Sequence, residues 1–351
     1  MSEIKVNNIQ SLSGTNGPVV SGITTMASSG AMSLPRGNTA YRGGRGRGVF
    51  AGGYAAPNAQ QNVIEYITIA TLGNSNDFGD LTVARRDPAG CASATRGLFF
   101  VGGWPGNTKV IDYVEVASTG NAFDFGEITL GFGSGNDGLF QCAAVSNSTR
   151  GICAGGIDNP APIVTTNIQY VNIANKGNTS LFGDLTVARF AVQGAGSPTR
   201  GIFSGGATPD RVNTIDYITI TTLGDALDFG DLNSPGKRNV MSCSNSTRAV
   251  LGGGYDTGSN FLNTIEYVTI ASTGDTIDFG DLSETKSRGA ATASQTRGVF
   301  FGGERASPAV ETDTIEYVTI STLGNAVDFG NIRTGTRRDA AGLSDSHGGI
   351  G

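Results

Sequence analysis

The chain has 351 residues, of which 54 are glycine, about twice ordinary usage, while only 15% carry a charge against ~25% in an average protein. That glycine load excludes a coiled coil or helical bundle, because each Gly inside a helix costs ~1 kcal/mol. A 38% hydrophobic content with a net charge of −6 excludes general disorder, and 11 prolines without a G-X-Y period exclude collagen. Short strands and many turns remain.

The opening MSEIKVNNIQSLSG lacks a basic segment followed by an apolar run, so no secretory signal is expected. Residues 1–40 hold only short apolar pairs, Ile4 with Val6 and Val19 with Val20, too few for a core. They are expected to form an extended arm that orders against another protein. From 41 to 351 the sequence repeats. Six units of about fifty residues start near Arg47, Arg96, Arg150, Arg200, Arg248 and Arg297.

Each unit reads TRGxFxGG, a variable stretch, TIEYVTIATLG, DFGDLT and a small-residue segment. Tyr66, Tyr113, Tyr170, Tyr217, Tyr267 and Tyr317 are each followed twelve residues later by Phe78, Phe125, Phe182, Phe229, Phe279 and Phe329. The small-residue segment predicts strand A, RGVFAGG strand B, the period-two run IEYVTIA strand C, and DFGDL strand D. Four antiparallel strands repeated at this period predict an all-β, six-bladed β-propeller. Strand A, rich in Ala, Ser, Gly and Cys, suits the crowded axis, while the Tyr and Phe residues suit the space between blades. The end of the chain, RRDAAGLSDSHGGIG, aligns with RRDPAGCASATRGLF but stops where strand B would begin. It is expected to supply strand A beside the first B–C–D set and so to close the ring. Residues 38–46, rich in Arg and Gly, are poorer strand material for that place.

The paired glycines, the Tyr strand and the aromatic strand resemble the kelch repeat over residues 47–351, with Phe where kelch repeats carry Trp. The leader IKVNNIQSLSGTNGPVVSGITTMASSGAMSLPRG and the IEYVTIATLGNAxDFGDL repeats are similar to virion proteins of tailed marine phages, cyanophages especially. The resemblance implies a structural protein associated with a tail or fibre. It would be assembled in the host cytoplasm, attach to other virion proteins through residues 1–40, and display a propeller to host-surface glycans. A capsid decoration and a kelch-type module for protein partners are the alternatives.

Enzymatic chemistry finds little support. His347 is the single histidine, so a Ser-His-Asp or Cys-His arrangement and a His-based metal site have no residues, and no cofactor or metal is expected. A carboxylate-pair glycosidase is the remaining enzymatic alternative. The recurrent DFGD carboxylates read as turn residues rather than calcium ligands, and each unit-starting Arg is expected to pair with a turn carboxylate of its own or the next unit. A pI near 4.9 argues against nucleic acid, and no 18-residue apolar run suggests membrane insertion. Cys91, Cys142, Cys153 and Cys243 form no CxxC pair. A hairpin turning at Asn147-Ser148 would set Cys142 and Cys153 face to face, and both are expected to remain thiols.

Loop lengths single out one face. The C–D spacing is fixed, whereas the B–C and D–A connections vary, and both emerge on the same side of an up-and-down blade. They carry Tyr54, Trp104, Arg211, Tyr255 and Phe261 in the B–C loops, and Phe132 and Phe140 in a D–A insertion. Rings beside polar groups can stack on sugars and hydrogen-bond their hydroxyls, so these seven are the candidate binding residues.

Overall fold

Alternation of β-branched and polar residues makes the TIEYVT run a six-residue strand in every unit. Strands C are Val63–Thr68, Val110–Glu115, Asn167–Asn172, Thr214–Thr219, Thr264–Thr269 and Thr314–Thr319. A computed structural model describes residues 19–20, 24–26, 32–33, 46–55, 59–103, 106–129, 138–158, 163–233, 236–306 and 309–350. Contacts divide the chain into Met1–Arg42 and Gly43–Gly351.

The second unit is all-β, with six four-stranded antiparallel sheets among the described residues. In each, strand C lies between strand B (Arg47–Ala51 in the first sheet) and strand D (Asn76–Asp80). Strand A completes the sheet beside strand B. The second to sixth sheets take Ala89–Ala92, Ala143–Ser146, Gln193–Gly196, Met241–Ser244 and Ala290–Ala293 from the segment just upstream. The first sheet takes Ala341–Ser344, pairing Ala341 with Ala51 and Ser344 with Gly48. The C-terminal strand therefore occupies the edge expected from the sequence.

Consecutive strands A lie side by side, and Ala341–Ser344 neighbours both Ala290–Ala293 and Ala89–Ala92. Their central residues, Gly90, Ala144, Gly194, Ser242, Ala291 and Gly342, line a cavity of about 60 Å³. Side-chain size is limited by the neighbouring backbone: a Cβ at Gly342 would collide with the Ala291 carbonyl.

At the other edge a one-residue bulge recurs in every sheet. Ile64 faces Gly79 while Glu65 faces Asp77, which leaves Phe78 as the extra residue and turns it inward to 2% exposure. Gly79, at φ 148°, lies so close to the Gly120 carbonyl of the next sheet that no side chain fits. Gly120 N–H in turn donates to Phe78 O at 2.7 Å, and the series returns to its start with Gly73 N–H on Phe329 O at 2.9 Å. Phe78 packs with Val114 and Val116 of the second sheet, as a residue between sheets should. Tyr66 packs against the same cluster, as expected, without being fully enclosed by it. It stays half-buried, edge-on to Phe78 at 6.0 Å, with the Arg47 guanidinium 4.7 Å over its ring.

The arginines require a correction. Each reaches a backbone carbonyl at the end of the next strand C instead of a turn carboxylate: Arg47 to Val116, Arg96 to Ile173, Arg150 to Ile220, Arg200 to Ile270, Arg248 to Ile320 and Arg297 to Ile69, at 2.8–3.0 Å. Those carbonyls lie just beyond the strand ladder and need a donor. Among the six guanidinium groups of the described residues, only that of Arg96 also meets a carboxylate, Glu115 at 3.0 Å.

Buried ion pairs form a further set. Arg85–Asp112, Arg189–Asp216, Lys237–Glu266, Lys286–Glu316 and Arg337–Glu65 join the segment before a strand A to an acid on strand C. The third sheet carries Leu139 and Gln169 in the corresponding places, both 1% exposed. Losing both charges together avoids the cost of one unpaired buried ion.

In the first unit, Val19–Val20, Thr24–Met26 and Met32–Ser33 form a three-stranded antiparallel sheet with Thr24–Met26 in the middle. Ile4 and Val6 lie outside the described residues. The hairpin of the third sheet also turns one step later than expected. The Asn147 side-chain oxygen accepts from Thr149 N and Arg150 N, so Cys153 faces Ala144 rather than Cys142. Cys142 and burial push the Cys153 thiol well up, and all four cysteines are free and buried.

Candidate functional site

The D–A connections bring six residues to left-handed backbone: Asp87, Gln141, Ala191, Asn239, Arg288 and Asp339, at φ 54–61°. Each N–H donates to the carbonyl of its predecessor in the series. Gln141 bonds Asp87, Ala191 bonds Gln141, Asn239 bonds Ala191, Arg288 bonds Asn239 and Asp339 bonds Arg288. The sixth bond, Asp87 N–H to Asp339 O at 2.8 Å, returns the series to its start. Left-handed backbone strains non-glycine residues, Ala and Arg more than Asn and Asp, and the repeated bond holds it in place.

The Asp87, Gln141, Asn239, Arg288 and Asp339 side chains line a cavity of about 40 Å³. Burial and the neighbouring Asp339 push Asp87 up to about 8, partly offset by Arg288, Arg86 and a hydrogen bond from Gln141. Burial also raises Asp339, against the pull of Arg288 and Arg338.

One position before these residues stand Arg86, Phe140, Phe190, Arg238, Ser287 and Arg338. They pair across to the B–C loops at Gly103, Ile157, Ala207, Tyr255, Glu304 and Tyr54. Here the repeat stops being uniform. Tyr255 packs on Phe261 with ring centroids 4.3 Å apart and donates its hydroxyl to Glu304 Oε2 at 3.1 Å. Burial and the Glu304 carboxylate push the phenol up to about 12, although Arg288 and Arg338 oppose this. Glu304 also accepts Arg338 at 2.7 Å, and the Arg338 guanidinium lies 4.7 Å over Tyr54. Arg288 and Arg211 lie 5.7 and 6.0 Å from the Tyr255 ring, and Arg238 lies 5.8 Å from Phe190.

Four expected residues, Tyr54, Arg211, Tyr255 and Phe261, thus share one patch. Phe140 stands in the same row but pairs with Ile157, away from that patch. Trp104 and Phe132 lie outside the described residues. Sequence reasoning missed Arg238, Arg288, Arg338 and Phe190. For Arg238, Arg338 and Phe190 the signal was variation at one place inside an otherwise repeated segment, just before the left-handed residue, and Arg288 is that left-handed residue itself.

The opposite end of the strand A array meets the C-terminus. His347 Nε2 donates to Ala92 O at 2.7 Å, and Nδ1 accepts Gly349 N–H at 3.0 Å. These two bonds fix the neutral Nε2–H tautomer. The short 3-10 turn Gly348–Ile350 is buried against the strands A of the third, fourth and fifth sheets. His347 therefore has a packing role. Among the described residues no group of three His, Cys, Asp or Glu side chains is arranged to hold a metal ion.

No protein-family model matches the chain, and no curated protein is detectably similar to it.

Proposed function

We propose that the six sheets are the blades of a closed, kelch-like propeller, that residues 1–40 attach it to a virion, and that its B–C/D–A face binds saccharides on the host surface. The closed ring is supported by three series of contacts that return to the first sheet: strands A, the bonds of the left-handed residues, and the bonds from strand D to the next C–D turn. The virion reading rests on the leader and repeat resemblance.

One observation carries the binding reading. The repeated residues are engaged in contacts between sheets, while the residues that differ from unit to unit gather Tyr54, Tyr255, Phe261, Phe190 and four guanidinium groups around one connected patch. Aromatic faces bury apolar sugar C–H surface, and the flanking polar groups orient the hydroxyls.

The test replaces Tyr255 and Phe261 with Ala and measures adhesion to host cells and to immobilised glycans. Each large side chain contributes ~1.5–3 kcal/mol when covered, so adhesion should weaken at least about tenfold with the fold retained. Unchanged adhesion would replace host binding by a structural decoration role. Immunogold labelling of particles, with and without residues 1–40, tests the attachment.

A further inference from the structure

We propose that Arg211 and Arg238 form a subsite for an anionic substituent, a carboxylate or sulfate, on the saccharide bound beside Tyr255 and Phe261. The inference rests on the saccharide reading above and narrows it to acidic sugars.

Arg238 is the unusual cation. Among the described residues its side chain makes no hydrogen bond and no ion pair, only the contact with the Phe190 ring, and its Nε is buried without a partner. Arg211 donates to Thr257 O at 3.3 Å and Ser259 Oγ at 3.1 Å, both neutral acceptors, and its Nε is likewise unpartnered. Other cations of this face have carboxylates: Arg288 has Glu304 and Asp339, Arg338 has Glu304 and Glu311, and Arg305 has Glu284.

The two guanidinium groups border the same open depression of about 450 Å³, with Pro209, Asp210 and Thr257. Two acids are near enough to compete. Asp210 borders the depression but lies outside salt-bridge distance of both arginines, and Asp256 is held by the Asn260 backbone and side-chain amides. Burial and the like charges of Arg211 and Arg288 depress the Arg238 pKa. Like charges held close together oppose folding, and an arriving anion relieves that repulsion. A guanidinium presents paired N–H donors that match the two oxygens of a carboxylate or sulfate. The geometry also couples the subsite to the aromatic platform, because Arg238 pairs directly with Tyr255 across the two strands.

The experiment uses the full chain and isothermal titration with four probes: an oligogalacturonide, a sulfated galactan oligosaccharide, a neutral galactan oligosaccharide of equal length, and inorganic sulfate. Both acidic probes should bind more tightly than the neutral one and weaken with ionic strength. Arg238→Gln and Arg211→Gln should each weaken acidic binding at least about tenfold, as expected for a lost charge-assisted bond, and weaken neutral binding by less, so that the preference for the acidic probes shrinks. Arg211 is at the surface, so its variant remains informative if Arg238→Gln perturbs folding. Acidic binding that survives both substitutions overturns the subsite. Equal affinity for neutral and acidic probes also overturns it while leaving the saccharide reading intact. Binding of sulfate alone, dependent on Arg238, keeps the anion site and removes the saccharide reading. Binding of none of the probes removes both.

Discussion

Arg337 and Glu65 lie 3.4 Å apart, both side chains buried, although almost the whole repeat array separates them in sequence. Glu65 sits on strand C of the first sheet and Arg337 just before the C-terminal strand A. Their contact repeats the relation of Arg85 to Asp112 and of Arg189 to Asp216, which are neighbours in sequence by comparison. The ends of the array are thus joined by the same side-chain chemistry as its interior. Glu65 also accepts from Thr334 Oγ1 at 2.8 Å and Ser75 Oγ at 3.1 Å, so its carboxylate organises several polar groups at the junction.

Breaking this pair on one side should be costly, and removing it on both sides should not. Glu65→Gln leaves the Arg337 charge buried and should destabilise the protein by about 3–5 kcal/mol. The double variant Glu65→Gln with Arg337→Leu copies the residues of the third sheet, Gln169 and Leu139, and should recover most of that loss. Denaturant melts of the two single variants and the double give the coupling. Additive losses would show that the junction does not tolerate the neutral pair.

The closing strand has its own test. Deleting residues 341–351 removes the partner of Arg47–Ala51 and leaves that strand with an open edge. The truncated chain should melt at a lower temperature and self-associate on heating, as read by circular dichroism and light scattering. A truncated chain that melts like the full one and stays soluble would mean that strand Ala341–Ser344 contributes nothing to the junction.

Much of this architecture is legible in sequence because it depends on local pattern. The period-two run around Tyr66, the twelve-residue step to Phe78 and the orphan strand A at the end each declare themselves within a single repeat. The role of Arg47 does not. Its partner is a backbone carbonyl in the next sheet, at Val116, and a carbonyl leaves no mark in sequence. The buried pairs are hidden for a related reason. Their members lie 27 to 30 residues apart in the interior sheets, alternate between Arg and Lys or Asp and Glu, and vanish together at Leu139 and Gln169. Part of the candidate patch was visible as loop aromatics, Tyr54 and Tyr255. Arg238 and Arg338 were masked by lying inside a segment whose flanks repeat.

Asp87 provides a pH test at the junction of the left-handed residues. Its carboxyl is pushed up to about 8 in the folded protein, against about 3.9 in an unfolded chain. The folded state therefore holds the extra proton, and its stability should fall as pH rises from about 4 through 8. Asp87→Asn removes this titration, keeps an acceptor for Gln141 and suits a positive φ. Relative to the wild type, the variant should gain stability progressively as pH is raised toward 8. A difference between the two proteins that does not change with pH would remove Asp87 as the titrating group.

His347 should respond in the opposite direction. Burial pushes its imidazole below the ordinary value of 6.5, while the bond to Ala92 O acts against that shift. The residue keeps part of its solvent exposure, which limits the size of the shift. The unfolded chain thus takes up this proton first as pH falls. The stability His347 contributes is complete above about 6.5 and is lost on acidification through the folded value. The hydrogen bonds explain why the neutral form is needed: a proton on Nδ1 would face the Gly349 N–H that now donates to it. His347→Gln retains one donor and one acceptor but cannot titrate. Between pH 7.5 and 5 the wild type should lose stability relative to this variant, and amide exchange at Gly348–Ile350 should accelerate in the wild type alone. Parallel stability curves across that range would place the acid sensitivity elsewhere and leave His347 as a neutral spacer over Ala92.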